Sequence, residues 1–152
     1  MSENARNNAT NPMFELFNEI GIINQLSRAF FEARLPDGMV LPHFSVLNHL
    51  TRVGEGRTPL QIARAFQVPK NSMTHTLAGL EKRGLIDIRP HPSDRRSKTI
   101  WLTEAGRQFR LEAMGRVGRD MAPVLPKMDP DEVAQTLTFL RGLREVLDSA
   151  RN

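Results

Sequence analysis

"TPLQIARAFQVPKNSMTHTLAGLEKRG", residues 58–84, is the stretch whose reading decides the fold. Thr58 is a good helix N-cap, Pro59 suits the first helical position, and Gln61 stands three residues after the cap, which completes a capping box. Ile62 and Phe66 then face inward from a short helix. After Gln67-Val68-Pro69 a second helix starts near Lys70, where Met73, Leu77 and Leu80 recur at steps of four and three and Gly84 supplies the terminating C′ residue. A short helix, a tight turn and a second helix make a helix-turn-helix.

The pattern extends in both directions. Leu85-Ile86-Asp87-Ile88-Arg89 reads as a strand and Thr99-Ile100-Trp101-Leu102 as its partner, with "HPSDRRSK" (91–98) as the hairpin between them. Thr103 caps a long helix that threads Gly106, Gly115 and Gly118 before Pro123 and Pro126. Asp129-Pro130-Asp131-Glu132 opens the last helix, with acids at the positive end of its dipole. Upstream, Met13, Leu16, Phe17, Ile20, Ile23 and Phe30 recur at helical steps up to "LPDG" (35–38). Phe14, Ile22 and Phe31 lie off that stripe, so this helix needs more than one packing partner. A helix from Leu41 to Arg52 follows, with Pro42 in its first turn and Phe44, Leu47 and Leu50 or Val53 facing inward. The order is α-α-α-α-β-β-α-α: a mainly α chain with a small β-hairpin wing. A polar, Asn-rich arm is expected over 1–12 and a single domain over 13–150. Within it a winged helix-turn-helix (40–102) lies between terminal helices (13–34 and 103–150).

Composition narrows the function classes. The 152 residues include no cysteine, which excludes a disulfide framework, a thiolate metal site, a cysteine nucleophile and a thiol redox sensor. Neither a signal-peptide pattern at the start nor an apolar run of about 20 residues is found, so the expected compartment is the cytoplasm, with no membrane partner. Residues 70–98 carry seven Lys/Arg against three acids, and the rest of the chain is balanced at 14 and 14, so the whole net charge of +4 sits in one segment. Such a localised excess is the electrostatic footprint of a nucleic-acid-binding face.

With Met73, Leu77 and Leu80 inward, a step of about 100° per residue puts Asn71, His75, Ala78 and Lys82 on the opposite face, flanked by Ser72 and Thr74. The first two turns of that face are short and hydrogen-bonding, suited to a major groove about 12 Å wide. Asn71 matches adenine, His75 matches guanine or a phosphate, and Lys70 matches a phosphate. On the hairpin, Arg95, Arg96 and Lys98 extend the basic surface. A narrow minor groove attracts inserted arginines, and Asp94, two residues before Arg96, can brace the tip by accepting a hydrogen bond. An ordinary solvated helix face and a hairpin charged for solubility are the plainer readings of either feature alone.

"AGLEKRGLIDIRPHPSDRRSKTIWLTEAG" (78–106) resembles the signature region of the MarR family of bacterial winged-helix transcription regulators. Leu80-Glu81-Lys82-Arg83-Gly84-Leu85 is similar to that family's Leu-Glu-x-x-Gly-Leu segment, Asp94 and Arg96 to its wing Asp-x-Arg pair, and Leu102-Thr103-Glu104-Ala105-Gly106 to its Leu-Thr-x-x-Gly. "LPHFSVLNHL" (41–50) is similar to the family's second helix. The resemblance implies a homodimer built from the first and last helices, which agrees with the surplus apolar surface of those helices. It further implies binding to a pseudo-palindromic duplex operator, with Arg96 in the minor groove, Asp94 orienting it and Arg95 on phosphate. Many members answer to small aromatic or phenolic effectors, and the matching crevice here would involve Phe17, Asn24, Phe31, His43 and Phe44, residues for which core or dimer packing is the plainer role.

The resulting expectation is a ligand-responsive repressor without a cofactor or catalytic role. A winged helix used for protein contact stays open and predicts weak, sequence-independent DNA binding. An enzyme finds no phosphate loop, no Ser/His/Asp set and no paired carboxylates in the sequence. His43, His49, His75 and His91 have no tight metal-ligand spacing, so no metal site is expected.

Overall fold

The computed structural model describes residues 11–36, 38–125 and 127–150; the expected arm lies outside them except for Asn11 and Pro12. Its elements run α1 (Pro12–Glu32), α2 (Leu41–Val53), α3 (Pro59–Phe66), α4 (Lys70–Lys82), β1 (Ile86–Pro90), β2 (Lys98–Leu102), α5 (Glu104–Met121) and α6 (Pro130–Ser149). The chain forms two compact units that divide after Val117, inside α5.

In the first unit, the capping box forms as the sequence predicts. Thr58 accepts the Gln61 amide at 3.2 Å, and the Gln61 side chain accepts the Thr58 amide at 2.9 Å. Gln67, at φ +53°, takes the left-handed conformation that turns the chain from α3 towards α4. Gly84, at φ +69°, ends α4. Its amide donates to Glu81 O (2.8 Å) and the Leu85 amide to Leu80 O (3.0 Å), the paired bonds of a Schellman motif. The two residues bracketing that motif, Leu80 and Leu85, are both buried.

The core gathers one face from each element. Val46, Leu47 and Leu50 come from α2, Ile62 and Ala63 from α3, Met73, Leu77 and Leu80 from α4, and Ile86, Ile100 and Leu102 from the hairpin. For α2 the structure selects Leu50 over Val53, which is exposed, and adds the fully buried Val46. β1 and β2 pair antiparallel, with Ile86 opposite Leu102 and Ile88 opposite Ile100. Their other face carries Asp87, Arg89, Thr99 and Trp101, as the two-residue period of a strand requires. Gly56 and Arg57 extend this hairpin at the β2 edge: the Ile100 amide donates to Arg57 O (2.9 Å) and the Gly56 amide to Ile100 O (2.8 Å).

Polar side chains fasten the start of α5 to this core. The Thr103 hydroxyl donates to Gly84 O (2.7 Å) and accepts the Gly106 amide (3.0 Å). Gly106 meets Leu85 so closely that a Cβ there would lie 2.0 Å from the Leu85 carbonyl oxygen. Further along, Arg107 pairs with Glu55, Arg110 donates to Asn48 (2.9 Å), and Arg116 donates to Arg34 O (3.1 Å). Glu55 also accepts the Leu102 amide (3.0 Å), so one carboxylate ties α5 and β2 to the turn after α2. In α1 no residue is buried, and Phe14, Ile23 and Leu26 stand exposed.

The second unit holds α6, capped by Asp129, whose carboxylate accepts the Asp131 amide at 2.9 Å. It too has no buried residue, and Phe139, Val146 and Leu147 are exposed.

Candidate nucleic-acid interface

Because Met73, Leu77 and Leu80 are drawn into the core, α4 must present its other side outward. Lys70, Asn71, Ser72, Thr74, His75, Ala78 and Lys82 are all exposed. The Thr74 hydroxyl donates to Lys70 O (2.9 Å) and the Thr76 hydroxyl to Ser72 O (3.1 Å), so both are folded back onto the helix. Lys70, Asn71 and His75 are exposed at the helix start, with no side-chain hydrogen bond to another described residue.

The wing is a built turn. The Asp94 carboxylate accepts the backbone amide of Arg96 at 2.9 Å, and Asp94 O accepts the Ser97 amide at 3.0 Å. Asp94 thus braces the tip through the main chain of Arg96, leaving its guanidinium outside this bond. His91 adds a part that the sequence reading does not assign. Its Nδ1 accepts the amides of Ser93 (3.2 Å) and Asp94 (3.1 Å), while its own amide donates to Ser97 O (3.2 Å). The only signal for this in the sequence is a histidine two residues before Ser-Asp, a side-chain turn of the kind Asn and Asp make more often. Arg95, Arg96 and Lys98 are exposed around this turn.

The outer face of the hairpin is equally ordered. Arg89 lies 4.9 Å over the Trp101 ring and 3.2 Å from Asp87. Trp101 Nε1 donates to Thr99 Oγ1 (2.9 Å), and the same hydroxyl donates to Arg89 O (3.4 Å). Thr99 is buried by these contacts. A rigid root of this kind fixes where the wing tip points.

The residues expected to line an effector crevice separate. Phe31 and Phe44 meet, with ring centres 4.5 Å apart. Phe17 and Asn24 lie on the same helix as Phe31, about 21 and 10 Å from it along the axis. Both are exposed, so the structure does not bring them to the Phe31–Phe44 pair. His43 turns to α4 instead: its Nδ1 accepts the Val40 amide (3.1 Å), and its Nε2 rests where a side chain on Gly79 would begin. Burial, then the nearby charges of Arg83 and His75, hold its pKa below the usual histidine value. Among the described residues no cluster of three or more His, Asp or Glu could hold a metal ion.

Comparison with known proteins gives one consistent result. The MarR family profile matches residues 37–97. The chain is similar in fold to a MarR-family transcriptional regulator from Rhodococcus sp. RHA1, at 22% identity over 88% of this chain and 95% of that one, with a TM-score of 0.74. It is similar to the transcriptional regulator BldR from Sulfolobus solfataricus at 24% identity, over 98% and 99% of the two chains, with a TM-score of 0.73. A mutant of E. coli MarR complexed with operator DNA matches at 24% identity over 88% and 96%, with a TM-score of 0.70.

Proposed function

We propose that this chain, whose winged helix-turn-helix over residues 37–97 matches the MarR family profile, is a transcription regulator of that family that binds duplex operators by sequence and acts as a homodimeric, effector-responsive repressor in the cytoplasm. The observation that carries this reading is the pairing of two surfaces on one rigid core. An outward polar helix face stands beside a wing whose tip is fixed by Asp94 and His91. In use, α4 enters the major groove with Asn71 and His75 at base edges and Lys70, Ser72 and Thr74 toward the backbone. Arg96 enters the adjacent minor groove, Arg95 and Lys98 meet phosphates, and Asp94 holds the tip in register.

The dimer reading rests on α1 and α6, which have no buried residue and expose a row of large apolar residues. Isolated helices with this much apolar surface are stable only when something covers it. A two-fold dimer would present two α4 helices to successive major grooves, about 34 Å apart along the duplex. The effector reading rests on the Phe31–Phe44 pair, where a small aromatic ring could extend an existing stack at the junction of α1 and α2.

The deciding experiment is selection of DNA fragments by the purified chain from a random pool. A palindromic motif with half-sites one helical turn apart is the expected result. Recovery of fragments without a shared motif would instead favour a protein-contact role for the wing.

A further inference from the structure

The wing is a two-stranded ribbon, and among the described residues β1 has no further strand at its outer edge. Its lateral support therefore comes from the β2 side, where the amides of Ile100 and Leu102 point away from β1. The Ile100 amide is met by Arg57 O at 2.9 Å, in the one bridge that the Gly56–Arg57 edge makes. At Leu102 a side chain takes over: Glu55 Oε2 accepts the amide at 3.0 Å. The other oxygen, Glu55 Oε1, accepts from Arg107 in the first turn of α5. One carboxylate thus continues the ladder with one oxygen and reaches a helix with the other. Trp101 closes the same joint, since a Cβ on Gly56 would lie 3.1 Å from its ring and Arg89 of β1 stands over that ring. The Arg107 hydrogen bond, then the Leu102 amide and the charges of Arg107 and Arg89, hold the Glu55 pKa below the ordinary carboxylate value against the cost of burial.

We propose that Glu55 is a positioning residue for DNA binding: by holding the edge of β2 to the first turn of α5, it sets the direction in which the wing offers Arg96. Leverage makes the position of this joint matter. At about 3.3 Å per residue the tip lies roughly 15–20 Å along the ribbon from Leu102, so a turn of about 10° at the root displaces Arg96 by about 3 Å, the length of a hydrogen bond. The proposal rests on the DNA-binding reading, and only one arm of its test depends on that reading.

The DNA arm measures affinity for a selected duplex at fixed salt, well below the unfolding midpoint. Glu55→Ala should lower affinity about tenfold, a large part of what losing the Arg96 contact costs. In an Arg96→Ala background that loss should shrink to less than about twofold, because a contact already absent cannot be misplaced, whereas in an Asn71→Ala background it should persist in full. Equal losses in all three backgrounds would mark a merely structural role and overturn the proposal. The DNA-free arm exploits the absence of cysteine from the chain. Nitroxides are attached at Arg95→Cys on the wing and Glu112→Cys on α5, both exposed positions, and the labelled chain is diluted with unlabelled chain so that only distances within a protomer are read. The distance distribution should be narrow with Glu55 in place and broadened or displaced after Glu55→Ala. Glu55→Gln, which keeps an oxygen for the Leu102 amide, should fall in between. Arg107→Ala leaves that amide paired and cuts only the α5 end of the joint; it too should broaden the distribution, and it decides the matter should Glu55→Ala fail to fold. Unchanged distances in a folded variant overturn the proposal. If Arg96→Ala itself costs nothing, the groove reading of the wing fails, and the distances still decide whether Glu55 holds it.

Discussion

Arg96 shows how one residue divides its work between main chain and side chain. Its amide closes the Asp94 turn at 2.9 Å, while its guanidinium takes no part in that bond. Arg96→Ala keeps the amide, so the turn should survive while operator affinity falls by about 1–3 kcal/mol, the usual cost of a lost groove contact. A binding isotherm at fixed salt checks this, and an unchanged dissociation constant with intact circular dichroism would remove Arg96 from the groove. Gly106 makes the opposite case, where the side chain must be absent. Gly106→Ala sets a Cβ 2.0 Å from a backbone carbonyl that belongs to the α4 Schellman segment. Overpacking against a backbone that cannot rotate away costs about 1–3 kcal/mol or more, readable as a lowered denaturation midpoint. In the sequence Gly106 closes the Leu-Thr-x-x-Gly resemblance and otherwise reads as a glycine that weakens a helix. Its reason lies in Leu85, 21 positions earlier.

Among the elements, those with strong local rules are legible in the sequence. The caps at Thr58, Gly84, Thr103 and Asp129 and the stepping of Met73, Leu77 and Leu80 depend on neighbours within one or two turns, and each appears where it is expected. Val46, the Gly56–Arg57 edge and the bracing role of His91 do not follow from such rules. They depend on which distant surface happens to cover a residue, or on an uncommon side-chain turn. Glu55 is the clearest instance: its partners Leu102 and Arg107 lie 47 and 52 positions away. The hydrogen bond from Arg107, helped by the Leu102 amide and opposed by desolvation, lowers the Glu55 pKa from its ordinary 4.5. The fold therefore favours the carboxylate, and the stability it adds is complete above pH 4.5 and is lost as pH falls through the depressed value. Glu55→Gln should lower stability at neutral pH, and its difference from the wild type should shrink progressively below pH 4.5. Acid and neutral urea titrations of the two proteins test that convergence.

At the scale of the whole molecule, the surfaces of α4 and the wing follow from one core, whereas the proposed assembly rests on what the core leaves uncovered. Leu26 is 67% exposed on α1 and Val146 is 66% exposed on α6, values a solvated helix seldom tolerates in a row of similar residues. Leu26→Glu together with Val146→Glu should shift the sedimentation profile from the proposed dimer to monomer and lower operator affinity with it. A double variant that sediments as the wild type would exclude these faces from the interface. The apolar stripes are legible in the sequence as surplus; the split of the effector residues is not, because Phe17 and Asn24 share a helix with Phe31 yet lie two to four turns from it.

The seam at Gly106 has a mechanical consequence. The Thr103 hydroxyl ties Gly84 to Gly106 by two hydrogen bonds, and Gly106 meets Leu85 in a contact without room for a methyl group. Such a joint has no play. A tilt of the first turn of α5 therefore bears directly on the end of α4, which makes this joint the place where the two helices would turn as a crank rather than a hinge.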